Sequence, residues 1–146
     1  MSDLTRRAVS LLARREYSRA ELARKLAPLA TPDEIETVLD ELARAGLQSD
    51  ARFAESYFRS QAARLGVARL RQTLRQKGVA AELIDERIAR LSNELPDELE
   101  RARAVWQKKF AAAPVDRGDW ARQARFLQGR GFSVEVIRKL LKDPEA

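Results

Sequence analysis

Apolar residues return every three or four positions along almost the whole chain: Leu4, Ala8, Leu11 and Leu12, then Leu22 and Leu26, then Ile35, Val38, Leu39 and Leu42. That is the helical period, which gathers such residues on one face, and no stretch alternates at period two as a half-buried strand does. Ala, Leu, Arg, Glu and Gln dominate, all of them strong helix formers. Start signals agree with the period. Ser18 with Glu21 and Thr31 with Glu34 read as capping boxes, Pro32 stands at a first helical position, and Asp97 with Glu100 reads as a third box. Gly46, Gly66, Gly78 and Gly131 each follow an amphipathic stretch and are expected to end helices. The chain is predicted to be all-α, with helices near 3–15, 18–27, 32–45, 50–64, 68–77, 80–92, 97–111, 116–129 and 133–142.

The helices fall into triplets. Leu26, Leu74 and Leu127 each close a helix, and after a short interval come Ile35, Ile84 and Ile137, each preceded by a glutamate: Glu34, Glu82 and Glu135. Four residues further lie Leu39, Ile88 and Leu141, and three beyond the first two lie Leu42 and Leu91. This spacing predicts three units of three helices, over 1–48, 49–94 and 95–146. The competing reading is that any leucine-rich helical chain overlays on itself. Units of about 48 residues are marginal as lone cores, so they are expected to bury apolar faces on their neighbours and build an elongated array.

Several function classes drop out at once. The 146 residues include no cysteine and no histidine. Disulfides, thiolate zinc sites, histidine-ligated metals, Ser-His-Asp triads and Cys-His pairs are therefore excluded. The glycines fit neither phosphate-loop nor dinucleotide patterns, and carboxylate pairs such as Asp40 and Glu41 read as a solvated helix face. No catalytic residue, metal ligand or cofactor site emerges, and the chain is expected not to be an enzyme. The short apolar run from Ala8 to Ala13 is interrupted by Ser10 and flanked by arginines. It is too short to span a bilayer, so the expectation is a cytoplasmic protein without a membrane segment.

Charge is the most informative remaining feature. The net charge is +6, and the stretch 51–80 alone holds Arg52, Arg59, Arg64, Arg69, Arg71, Arg75 and Lys77 against the single acid Glu55. Arg64, Arg71 and Arg75 recur at spacings of seven and four and share a helical face, while Val67, Leu70 and Leu74 take another. Arg64, Arg69, Arg71, Arg75 and Lys77, extended by Arg59, are the candidate contact surface for a polyanion or an acidic protein. The alternative is an arginine-rich face that is merely solvated.

Sequence-specific reading of a major groove is disfavoured, because the third helices of the first two triplets are acidic: Asp33, Glu34, Glu36, Asp40 and Glu41 in one, Glu82, Asp85 and Glu86 in the other. Non-specific contact with a phosphate backbone stays open. Phe53, Tyr57 and Phe58 beside Arg52 and Arg59 resemble a base-stacking mixture, but core packing is the better reading of residues so spaced. Trp106, Phe110, Trp120, Phe126 and Phe132 are expected to stiffen the third unit's core.

These residues together carry a family resemblance. The first unit holds Leu12-Ala13-Arg14-Arg15-Glu16-Tyr17-Ser18-Arg19-Ala20-Glu21-Leu22 with Lys25-Leu26, and the first junction holds Gly46-Leu47, Asp50, Arg52-Phe53-Ala54 and Ser56. The second holds Gly66, Arg69-Leu70, Leu74 and Lys77-Gly78-Val79, and the third Arg125-Phe126-Leu127, Arg130-Gly131-Phe132-Ser133 and Ile137. In this order and spacing the chain resembles the RecX family of regulatory proteins over nearly its whole length. It departs from that family's usual pattern at Val67, where a proline commonly follows the glycine, and at Thr73, where a glutamate commonly precedes the leucine.

The resemblance implies three tandem three-helix repeats curved into an elongated body. It implies binding to the RecA recombinase in the groove of its filament on single-stranded DNA. Such binding restrains ATP hydrolysis, strand exchange and co-protease activity. No cofactor is implied, and the chain is expected to act as a monomer. The resemblance assigns no contact residues, so those remain the basic positions named above, meeting acidic filament residues or exposed phosphates. Two rivals stay open: a DNA-binding protein that acts without the recombinase, and a helical adaptor for an unrelated acidic protein.

Overall fold

A computed structural model describes residues 2–142, and among them the chain forms nine α-helices and no strand. They are α1 (Asp3–Arg14), α2 (Arg19–Leu26), α3 (Pro32–Arg44), α4 (Asp50–Gln61), α5 (Val67–Gln76), α6 (Ala81–Leu91), α7 (Glu98–Lys109), α8 (Arg117–Gly129) and α9 (Val134–Leu140), with short 3-10 turns at Ala27–Leu29 and Ser92–Glu94. The all-α expectation holds. Most boundaries fall within two residues of those predicted; α4 stops earlier, because a turn takes over from Ala62.

Local chemistry explains the starts. Ser18 accepts from the Glu21 amide while Glu21 reaches back to the Ser18 amide, and Thr31 with Glu34 does the same. Asp97 accepts from the Glu100 amide at 2.8 Å. Each such cap satisfies an amide that the first helical turn leaves without a partner and contributes about 1 kcal/mol.

The buried positions follow the triplet pattern closely. Leu26, Leu74 and Leu127 are buried, as are Ile35, Ile84 and Ile137, then Leu39, Ile88 and Leu141, then Leu42 and Leu91. In α1–α3 the apolar faces meet in a core built from Ala8, Leu11, Leu22, Leu26, Ile35, Val38, Leu39 and Leu42 with Tyr17. In α7–α9 the core holds Ala102, Val105, Leu127, Phe132, Ile137 and Leu141, with Trp106, Trp120 and Phe126 packed on it. The helices α4–α6 behave differently. The chain divides into two compact units, residues 1–57 with 74–87 and residues 58–73 with 88–146, so each middle helix gives residues to both.

Each unit contains a close contact at the end of a helix, and the two contacts are built alike. In the first unit Ser18, the N-cap of α2, donates its hydroxyl to the Lys77 carbonyl at 2.7 Å, just before Gly78. In the second unit Gly66, the N-cap of α5, donates its amide to the Arg130 carbonyl at 2.7 Å, just before Gly131. Gly78 and Gly131 both sit at positive φ, 87° and 91°, a region that L side chains rarely enter. Space is closed off as well. A Cβ on Gly78 would lie 2.4 Å from that of Ala20, and one on Gly131 would lie 2.2 Å from that of Arg69. Gly66 has no positive φ and does not end a helix; a Cβ there would stand 2.2 Å from the Gly131 carbonyl oxygen. The sequence reading of Gly66 as a helix stop is corrected on this point, since backbone approach is what demands the glycine.

Arg101 anchors the second unit from within. Only 7 % exposed, it donates to the Ala62 carbonyl at 2.9 Å and the Pro96 carbonyl at 3.1 Å. Burial lowers its pKa, against Glu98 and Asp97, which raise it. The carbonyl it caps lies in the turn where α4 stops, so a side chain distant in sequence fixes that helix end.

A direct check compares a crowded glycine with an open one. Gly66→Ala forces backbone apart and should cost about 1–3 kcal/mol in urea denaturation. Gly129→Ala, on the last residue of α8 with nothing within 4 Å of an added Cβ, should be neutral or stabilise by up to about 1 kcal/mol.

Candidate partner-binding surface

The six basic residues singled out from the sequence have unequal situations. Arg71 and Arg75 stand one turn apart on α5 and are exposed, as the spacing required. Arg69 is exposed at its tip, but its backbone and Cβ pack under Gly131 at the close contact of the second unit. Arg59 is exposed and pairs with Glu94 at 3.4 Å. Lys77 is half-buried, and its Nζ lies 3.3 Å from Oε2 of Glu21, whose side chain is only 13 % exposed. Arg64 is exposed in the turn after α4 and donates to the Gln61 side-chain carbonyl at 3.0 Å.

Lys77 thus serves the fold in the way its carbonyl does. Glu21 accepts from the Ser18 amide through one oxygen and from Lys77 through the other, with Arg15 at 3.8 Å. The charge is matched where the contact is tightest.

Arg64 is brought together with residues that sequence reasoning did not single out. A cleft of about 220 Å³ in the second unit is lined by Ala63 and Arg64, by Val105, Lys108 and Lys109 of α7, and by Phe126 of α8 with the adjoining Arg130. Arg130 lies over the Phe126 ring at 5.0 Å and Lys109 at 5.7 Å. Phe126 also meets Phe110 edge-on at 5.4 Å. Among the described residues, no carboxylate pairs with Arg64, Lys108, Lys109 or Arg130. Phe126, expected in the core, is only partly buried: it packs against the core of α7–α9 and also lines this cleft. Its signal in the sequence was the run Arg125-Phe126 with Arg130, visible as a motif but not as a surface.

The aromatic cluster near Arg52 resolves as packing. Phe53 and Phe58 are 4 % and 1 % exposed, which closes them to base stacking. Arg52 itself spans Glu16 at 3.0 Å and the Gly46 carbonyl at 2.8 Å. No group of three or more carboxylates among the described residues could hold a metal ion. No described helix is long and apolar enough to cross a membrane.

Family models for the first, second and third three-helix domains of RecX match residues 6–42, 49–86 and 96–141. The chain belongs to the RecX family. Among curated relatives, the Regulatory protein RecX of Leptothrix cholodnii is 49 % identical over 141 residues, covering 96 % of this chain and 88 % of that protein. That of Chromobacterium violaceum is 46 % identical over 140 residues, covering 95 % and 89 %. Both names denote a regulator rather than an enzyme. The crystal structure of RecX from Lactobacillus salivarius superimposes with a TM-score of 0.77 at 20 % identity, over 97 % of this chain and 94 % of that one, and supports the fold. A second crystal structure of regulatory protein RecX gives 0.76 at 26 % identity, over 94 % and 73 %.

Within the RecX fold, Val67 makes use of the departure noted above. Its amide donates to Glu98 at 3.3 Å, a bond that a proline at this position lacks the hydrogen to form.

The sorting of charges predicts unequal stability effects for neighbours in sequence. Lys77→Met leaves the nearly buried Glu21 short of a cation and should cost about 1 kcal/mol at neutral pH. Arg75→Met, on the exposed face of α5, should fall within about 0.5 kcal/mol of the parent. Urea denaturation of the two variants measures both.

Proposed function

We propose that the chain is a non-enzymatic regulator that binds the RecA filament on single-stranded DNA and mainly inhibits its ATP hydrolysis, strand exchange and co-protease activity. The observation that carries this reading is membership of the RecX family along almost the entire chain, together with relatives named as regulators. The exposed cationic face of α5 supports it from the physical side. Arg71 and Arg75, with Arg64 and the tip of Arg69, offer guanidinium groups to acidic recombinase residues or phosphates. Lys77 contributes less, because it is half-buried against Glu21.

The mechanism is one of differential affinity. A monomer that reaches along the filament, its three repeats over 1–48, 49–94 and 95–146 touching successive recombinase subunits, restrains hydrolysis only if it binds one filament state more tightly than another. A tenfold reduction in cycling requires a preference of about 1.4 kcal/mol. That is within reach of a few charge-assisted hydrogen bonds made in one state and broken in the other.

The test is charge reversal on α5. Arg71→Glu with Arg75→Glu should raise the concentration needed to inhibit DNA-dependent ATP hydrolysis by RecA about tenfold or more, and the parent's inhibition should weaken steeply with salt. Undiminished inhibition by the folded double variant removes this face from the mechanism. Tight, sequence-dependent binding to naked duplex DNA in the recombinase's absence would instead favour an independent DNA-binding regulator.

A further inference from the structure

The cleft beside Phe126 has a composition that the filament reading does not require. Three segments distant in sequence converge there: the turn after α4, the last turn of α7 and the end of α8. They place four cations around a floor made by Ala63, Val105 and the Phe126 ring. We propose that this cleft is a binding subsite for single-stranded nucleic acid, holding a phosphodiester against Arg64, Lys108 and Lys109 and one base on the stacked surface of Arg130 and Phe126.

The close contact of the second unit builds this site. Gly66 bonds the Arg130 carbonyl at 2.7 Å. That bond sets Arg64, two residues before Gly66, and Arg130, one before Gly131, at the same opening. In the first unit, the matching contact carries Lys77 and neutralises it with Glu21, the third residue of α2. The third residue of α5 is Arg69, so the second contact receives a further cation where the first has an acid. An uncompensated cluster of this kind attracts a polyanion.

The cleft's floor distinguishes between polyanions. A carboxylate on a peptide needs only the cations and leaves the apolar floor uncovered. A nucleotide fills both, because every base has a flat face that stacks on an aromatic ring or a guanidinium plane. The side chains that line the cleft are cationic or apolar and offer a base edge no acceptor, so little sequence preference is expected. A base must leave its pair to stack in this way, which selects single strands over duplex.

Fluorescence anisotropy with the full chain and no recombinase tests the proposal separately from the filament reading. The probes are a labelled oligothymidylate, the same strand with abasic sites, a duplex of equal length, and polyglutamate as competitor. The oligothymidylate should bind best, with the abasic strand about tenfold weaker, as expected for removal of one stacked base. Lys108→Glu with Lys109→Glu should weaken binding at least about tenfold and lower the logarithmic salt slope by about 0.7 for each phosphate no longer neutralised. Phe126→Leu keeps the core apolar and should narrow the gap between the thymidylate and abasic strands, a readout that general loosening of the fold would not produce. Circular dichroism confirms that both variants are folded. Equal binding of the abasic strand or the duplex, competition by polyglutamate matching that of the strand, or unchanged binding by the lysine variant overturns the proposal. Inhibition of ATP hydrolysis by RecA bears on the filament reading alone.

Discussion

The structure depends on close contacts at helix ends, where a glycine leaves no room for a side chain of its own. In each unit, a residue that caps the start of one helix donates a hydrogen bond to the carbonyl just before a left-handed glycine that ends another. Such a contact is directional, unlike the apolar packing around it, and it tolerates no Cβ. It therefore fixes how one helix sits on the next in a way that interchangeable leucines cannot. Each of the two units holds one such contact, which joins helix ends from segments distant in sequence.

The same contacts decide what the basic residues do. A cation carried beside a tight helix end is either matched within the fold or left for a partner. Lys77 is matched by Glu21, itself engaged at the cap of α2. Arg130 lies over an aromatic ring, and among the described residues no carboxylate pairs with it or with Arg64, Lys108 and Lys109, which line the same cleft. The net charge of +6 thus describes neither a uniform coat nor a single strip. Part of it serves folding, and part gathers in a cleft where no carboxylate among the described residues pairs with it.

Much of this was legible in the amino-acid order. The three-and-four spacing fixed helix after helix, and the recurrence of Leu26, Leu74 and Leu127 with their isoleucine partners marked positions that are all buried. Ser18 and Thr31 announced their caps through glutamates three residues on. What escaped was whatever depends on distant segments meeting. Gly66 looked like Gly78, yet Gly78 has a left-handed backbone and Gly66 is pressed against a carbonyl. Lys77 looked like Arg75, but only Lys77 has Glu21 beside it, from a helix more than fifty residues earlier in the chain. Lys108 and Lys109 sat in a segment of mixed charge, so counting bases against acids gave them no prominence. The division of α4–α6 between two units was likewise hidden, because the triplet pattern records burial and not which neighbour supplies it.

Hydrogen exchange at a single backbone amide tests the account most directly. Gly66 sits at the end of a connecting turn, where an unheld amide exchanges quickly. Here it bonds the Arg130 carbonyl at 2.7 Å. Its exchange should be as slow as that of Leu70, whose amide lies inside the first turn of α5, and should share that residue's denaturant dependence. A Gly66 amide that exchanges at loop rates while Leu70 stays protected would contradict the claim that close contacts at helix ends organise this molecule.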